Sequence, residues 1–191
     1  MDGKGELEDI TRYLQKKQAD FDKVAFLSRE IIRTSGVSIT EIHNGDIVSA
    51  EEKMVKIEKL VEEIKEYEKD FAYYSIQAYQ EYAEAKILYG IKVKGSILPH
   101  TAIDIPKEAY LYGLLDVAGE LKREIIDALT EGDVKTAESY YDSIKTIYDS
   151  TRSMRFAEAV LPGFRRKQDV ARIQLESAGS EILFVKNRGN H

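Results

Sequence analysis

The chain has no cysteine and only three prolines and three histidines among its 191 residues. The missing cysteine removes disulfides, zinc–thiolate centres and thiol nucleophiles at once, and suits a reducing cytoplasm, the expected location. With so few prolines and twelve glycines, long uninterrupted helices are permitted. No apolar run approaches the roughly 20 residues of a membrane span, so no membrane partner is expected. The opening MDGKGELEDI lacks the basic end and apolar stretch of a signal peptide. His43, His100 and His191 are scattered along the chain, which gives a histidine triad or a histidine-based metal site little support. The P-loop, the dinucleotide-binding glycine pattern, His-Glu-x-x-His and Gly-x-Ser-x-Gly are all missing.

What remains is a globular balance of 43% hydrophobic and 32% charged residues, with a net charge of −6. That charge argues against coating nucleic acid by bulk attraction. It is unevenly placed, however. Arg152, Arg155, Arg165, Arg166, Lys167 and Arg172 face only Glu158 and Asp169 within residues 152–172, which makes that segment +4 and the remainder −10. Composition favours a solvated helix face there, with a nucleic-acid-binding patch as the alternative.

Hydrophobic spacing is helical throughout. A first helix is expected from about Glu6 to His43, with Leu7, Ile10, Leu14, Phe21, Ala25, Ile32 and Ile39 on one side. Asn44-Gly45-Asp46 reads as a turn. Ser49-Ala50-Glu51-Glu52 matches a capping box, and a second helix is expected from Ser49 to about Val93 through Ile57, Val61, Ile64, Phe71, Tyr74, Leu88 and Ile91. Asp104 and Pro106 mark a third start, with Leu111, Leu114, Ala118, Leu121 and Ile125 as its core face. Gly132-Asp133 precedes a helix over roughly 133–158, and Leu161-Pro162-Gly163 precedes a last one over about 164–186. No β-type alternation persists and no composition break divides the chain. The expectation is one all-α domain over residues 1–191, a bundle of long helices. Several helices exceed what a small monomer can cover, so some apolar surface is expected to meet other subunits.

The chemistry lies in two acidic pairs. Glu81 and Glu84 in Gln80-Glu81-Tyr82-Ala83-Glu84-Ala85 are three apart, so both leave one helix face, a face shared with Phe71, Tyr74, Gln77 and Leu88. Burying unpaired carboxylates on an apolar stripe costs several kcal/mol, so a cation, a base, a proton or solvent must compensate. Asp116 and Glu120, four apart, share the next helix with Tyr112, Arg123 and Asp127 on what reads as a polar face. If that face turns toward Glu81 and Glu84, four carboxylates converge. An oxygen-only site of this kind suits Mg²⁺ or Mn²⁺ more than zinc or copper, and lacks the Glu-x-x-His of di-iron bundles. Phosphodiester hydrolysis is the natural reaction class. The many tyrosines, Tyr73, Tyr74, Tyr79, Tyr82, Tyr140, Tyr141 and Tyr148 among them, could stack on bases but at this spacing are more often core or subunit contacts.

These segments resemble the translin/TRAX family. Phe26-Leu27-Ser28-Arg29-Glu30-Ile31 is similar to its opening helix, and Gln80–Ala85 resembles the acidic helix of the catalytic TRAX subunits. Tyr112-Gly113-Leu114-Leu115-Asp116-Val117-Ala118-Gly119-Glu120-Leu121 looks like the helix that follows, ahead of Gly132-Asp133. Arg165-Arg166-Lys167-Gln168-Asp169 and the final helix are similar in placement and character. The resemblance implies a translin-like helical bundle assembled into an oligomeric shell, an octamer by family pattern and a homo-oligomer here. It implies Mg²⁺-dependent endonucleolytic cleavage of single-stranded RNA, with Glu81, Glu84 and Asp116 as catalytic acids and Glu120 as a further metal ligand. Single-stranded DNA is a further possible partner. Arg152, Arg155, Arg165, Arg166 and Lys167 are assigned to nucleic acid on charge alone. The alternatives are a non-catalytic translin-like binding oligomer, with the acids paired to Arg123, Lys86 or other bases, and an all-α nucleotide pyrophosphatase.

Overall fold

The computed structural model describes residues 3–188, and among these there is no strand. Six α-helices run α1 (Gly3–His43), α2 (Ile47–Lys65), α3 (Ala72–Lys94), α4 (Lys107–Thr130), α5 (Val134–Thr151) and α6 (Phe164–Arg188). α1 packs against α2 and α3, α3 against α4, and α4 against both α5 and α6. Buried side chains from all six helices join one hydrophobic cluster.

Local chemistry explains most boundaries. α1 ends in a turn where Gly45 adopts φ 76°, a left-handed conformation favouring glycine. α2 is capped by Asp46, whose carboxylate accepts from the Ser49 amide at 3.0 Å. Ser49 is therefore the capped residue and not the expected cap. Asp133 caps α5 in the same way, accepting from Thr136 N at 3.0 Å.

Three expectations need correction. The helix expected over Ser49–Val93 is two helices, α2 and α3, separated by a 3₁₀ turn at Glu68–Asp70. No glycine or proline marks that break; instead Phe71 and Tyr74 pack edge-on against Phe21 of α1, Lys17 pairs with Asp70 at 3.2 Å, and Ser75 Oγ donates to Glu68. Tertiary contacts thus override a continuous helical pattern. α5 stops at Thr151 and not near 158, because Gln168 of α6 donates to the carbonyls of Thr151 and Met154 at 2.6 and 3.3 Å and holds the chain in a turn. On α1, Val24, Leu27, Ile31 and Ile42 form the core face, while Leu7, Ile10 and Leu14 are exposed. The expected stripe holds in its later part, where Ile39 is buried and Ile32 packs against the core, and fails in its first part, which covers nothing within the chain.

α3 sits between α1 and α4, and twelve of its residues are buried. Whatever α3 carries on its α4 side is interior. Its contact with α4 is close: a Cβ at Gly113 would lie 2.6 Å from the Gln80 carbonyl oxygen, 2.7 Å from Ala83 Cβ and 2.9 Å from Glu84 N. Only a residue without a side chain lets the two backbones meet there, and they meet at the level of the acids.

Candidate active site

The α3–α4 contact brings the two acidic pairs together. Glu84 is only 8% exposed, and neither it nor half-buried Glu81 has a hydrogen-bond or ion-pair partner among the described residues. Burial pushes the Glu84 carboxyl up from 4.5 to about 8, with the charges of Asp116, Glu81 and Glu120 adding to it and Lys167 opposing. Burial likewise raises Glu81, helped by Asp116 and Glu120. The charges of Asp116 and Glu120 act on both glutamates, in the same direction as burial.

The expected polar face of α4 is therefore a cleft wall. Asp116 accepts from Lys167 Nζ at 2.6 Å on each oxygen and from Gln80 Nε2 at 2.7 Å on Oδ2. Lys167 also lies 5.7 Å from the centre of the Tyr112 ring. It reaches the cleft because Tyr112 Oη donates to the Pro162 carbonyl at 2.9 Å and buried Gln168 anchors the first part of α6. Lys167, assigned to nucleic acid from charge, is thus a counter-ion inside the acidic cluster. Arg152, Arg155, Arg165 and Arg166 are exposed as expected for a solvent face. Arg152 pairs with Asp149 at 3.4 Å, and Arg155 donates to the carbonyls of Arg152 and Met154 at 2.6 and 2.7 Å. Arg165 and Arg166, in the first turn of α6, have no ion-pair partner among the described residues.

Glu120 lies one turn further along α4. Its Oε2 meets His43 Nε2 at 2.6 Å, and His43 Nδ1 meets Glu124 Oε1 at 2.5 Å. Lys92 of α3 closes the chain by pairing with Glu124. The hydrogen bonds to Glu120 and Glu124 raise the His43 imidazole from 6.5 to about 9 against the cost of burial. Burial alone would raise Glu124, but the bonds from His43 and Lys92 outweigh it and hold its carboxyl below the usual range. In the sequence His43 is isolated and Glu124 belongs to neither acidic pair; the fold makes both part of the site. Glu124 does continue the four-residue spacing of Asp116 and Glu120, which is the signal that could have found it. His43 lies 77 residues from Glu120 and carries no such signal. Neither Lys86 nor Arg123 serves as a partner for the acids; other bases, Lys167 and His43, pair with Asp116 and Glu120. Lys86 pairs with Glu58, and Arg123 is exposed.

Taken together, Glu81, Glu84, Asp116, Glu120 and Glu124 face the cations Lys167, Lys92 and His43. Fully ionised, the network carries two uncompensated negative charges, the charge of one divalent ion. Among the described residues no three acidic or imidazole side chains are already gathered around a point that could hold a metal; Asp116 and Glu120 are engaged by Lys167 and His43. The donors nonetheless fit a hard cation in type and charge. They are all oxygen, and two of them, buried Glu84 and half-buried Glu81, have no partner among the described residues.

The family model for translin matches residues 6–178, nearly the whole helical bundle. The chain belongs to the translin family. Among its relatives, the uncharacterised protein MJ0175 of Methanocaldococcus jannaschii is 32% identical over 189 residues, covering 95% of this chain and 84% of that protein. The fold superimposes on AfC3PO in its complex with duplex RNA with a TM-score of 0.89 at 29% identity, over 96% of this chain and 97% of that one. The crystal structure of AfC3PO gives a TM-score of 0.90, also at 29% identity, over 97% and 100%. Apo-NeC3PO, at 21% identity and a TM-score of 0.86 over 94% and 96%, shares the fold. The translin-like helical fold expected from the sequence is thus the fold of this chain.

Proposed function

We propose that this translin-family chain binds RNA and cleaves single-stranded RNA endonucleolytically at the α3–α4 cleft, using Mg²⁺ or Mn²⁺. The observation that carries the reading is the pair of unpartnered carboxylates, buried Glu84 and half-buried Glu81, on α3 beside Asp116 of α4 at a close helix contact. Such a pair costs stability unless a ligand offsets it, so a fold kept for stability alone disfavours it. Glu81, Glu84, Asp116 and Glu120 are the residues that would hold a divalent ion, which when bound would activate water and neutralise charge on the phosphate. Lys167 supplies a positive charge beside Asp116 for a phosphate oxygen entering the cleft. Arg165 and Arg166, exposed on the same helix turn, guide the backbone of the nucleic acid toward it. The RNA held by one structural relative, AfC3PO, is a duplex, so single- and double-stranded RNA belong in the same assay. The exposed apolar side chains Leu7, Ile10, Tyr13 and Leu14 on α1 support assembly with further copies of the chain.

A second reading has its own support. Lys167 and His43 already engage Asp116 and Glu120, as permanent counter-ions in a non-catalytic RNA- or single-stranded-DNA-binding oligomer would. Incubating labelled single-stranded RNA with the protein under Mg²⁺, Mn²⁺ or EDTA, beside a Glu81→Ala/Glu84→Ala variant, separates the two. Metal-dependent cleavage lost in the variant supports the nuclease. Tight binding with no cleavage by either protein supports the binding shell, and rapid hydrolysis of free nucleoside triphosphates would redirect the site to nucleotides.

A further inference from the structure

We infer that His43 is a positioning residue of the cleft, holding the Glu120 carboxylate in place from behind while Glu124 and Lys92 hold His43. The inference rests on the nuclease reading above and assigns a role that the acidic motifs themselves do not contain. His43 is the last residue of α1, and its side chain is 1% exposed. The turn at Gly45, with Asn44 N donating to Thr40 O at 3.0 Å and Gly45 N to Ile42 O at 3.1 Å, fixes where α1 ends and so aims the imidazole at α4. Both ring nitrogens face carboxylates, Nε2 toward Glu120 and Nδ1 toward Glu124. A ring with a carboxylate oxygen at each nitrogen is held at both ends and cannot turn without giving up one of the two contacts.

The consequence falls on Glu120. A glutamate side chain alone samples many rotamers, and ordering a rotamer-rich side chain costs on the order of 1–2 kcal/mol. Here Oε2 is held by His43, while Oε1 has no partner among the described residues and stays free for a ligand. Glu124 is 4% exposed and is fixed in turn by Lys92 from α3. The chain Lys92–Glu124–His43–Glu120 therefore ties α1, α3 and α4 together behind the acids. It lets a residue of α1, a helix contributing no acid to the cleft, set the geometry of an acid on α4. Groups that orient a metal-binding carboxylate in this manner change affinity and turnover without touching the substrate.

The test uses the full chain and Mn²⁺ as the probe, with free Mn²⁺ read by electron paramagnetic resonance, alongside kcat, KM and the dissociation constant for single-stranded RNA. His43→Ala is expected to weaken Mn²⁺ binding and lower kcat by roughly 10- to 100-fold, with KM and RNA affinity unchanged. Glu124→Gln keeps the ring but removes one of its charged partners, and should give a smaller loss of the same kind. If His43→Ala does not fold, His43→Gln and Glu124→Gln decide the matter by the same readouts. Wild-type Mn²⁺ affinity and kcat in every folded variant overturn the inference and leave the nuclease reading standing. A wild-type protein that neither binds Mn²⁺ nor cleaves, indistinguishable from Glu81→Ala/Glu84→Ala, overturns both.

Discussion

Replacing Glu84 with glutamine should make the metal-free protein more stable at alkaline pH while removing the proposed cleavage. The folded-state carboxyl is raised from 4.5 to about 8, so the native state holds this proton more tightly than the unfolded chain does. Between those two values the folded state binds more protons, and stability falls as pH rises. A shift of about 3.5 units at 1.36 kcal/mol per unit gives a cost approaching about 5 kcal/mol above pH 8. Glutamine keeps the shape and carries no charge, so it escapes this cost. Part of the gain is returned if its amide finds no acceptor, at about 1–3 kcal/mol. The expected net gain is about 2–4 kcal/mol at pH 8.5 in EDTA, gone by pH 5, where the amide penalty leaves the variant level with wild type or about 1–2 kcal/mol less stable. The assay is urea unfolding of both proteins at several pH values. His43 also loses stabilisation on the alkaline side, since its folded value is about 9 against 6.5, but it is present in both proteins and largely cancels in the difference. Saturating Mg²⁺ should close the gap by stabilising wild type alone. Equal pH profiles for the two proteins in EDTA would refute the claim that Glu84 is buried against like charges.

Further outcomes follow from the same geometry. Gly113→Ala places a Cβ 2.6 Å from the Gln80 carbonyl oxygen; it should destabilise by about 1–3 kcal/mol or more in urea unfolding and reduce cleavage by parting α3 from α4. Lys167→Met leaves Asp116 without its ammonium and should lower the melting temperature in EDTA by an amount that added Mg²⁺ restores. Arg165→Ala/Arg166→Ala should weaken single-stranded RNA binding and flatten its log–log salt dependence by about 0.7 for each phosphate no longer neutralised, with the melting temperature unchanged. His43 contributes stability that is fully present below pH 6.5 and lost as pH rises through about 9. His43→Gln should therefore lack roughly 3 kcal/mol of stability at pH 6 and much less at pH 9.5, measured by denaturant unfolding.

Sequence alone determined the helical class, five of the six helix starts to within a few residues, and the two acidic pairs. These are local properties: hydrophobic spacing, a glycine turn and acids set three or four apart on a helix repeat the same pattern wherever the helix lies. The break at Glu68–Asp70 has no local signal because aromatic packing on Phe21 makes it, with no glycine or proline to announce it. The α1 stripe expected from spacing fails over its first part, where Leu7, Ile10 and Leu14 are apolar yet exposed, because spacing cannot tell an internal core from a face left for something else. Only the tertiary structure decided that Asp116 and Glu120 line a cleft, since the close approach at Gly113 turns an ordinary polar face inward. It alone moved Lys167 from the solvent face to the acids and brought His43 across from α1. Charge–charge and hydrogen-bond energies depend on distances through space, and residues 77 apart in the chain acquire those only when the helices pack.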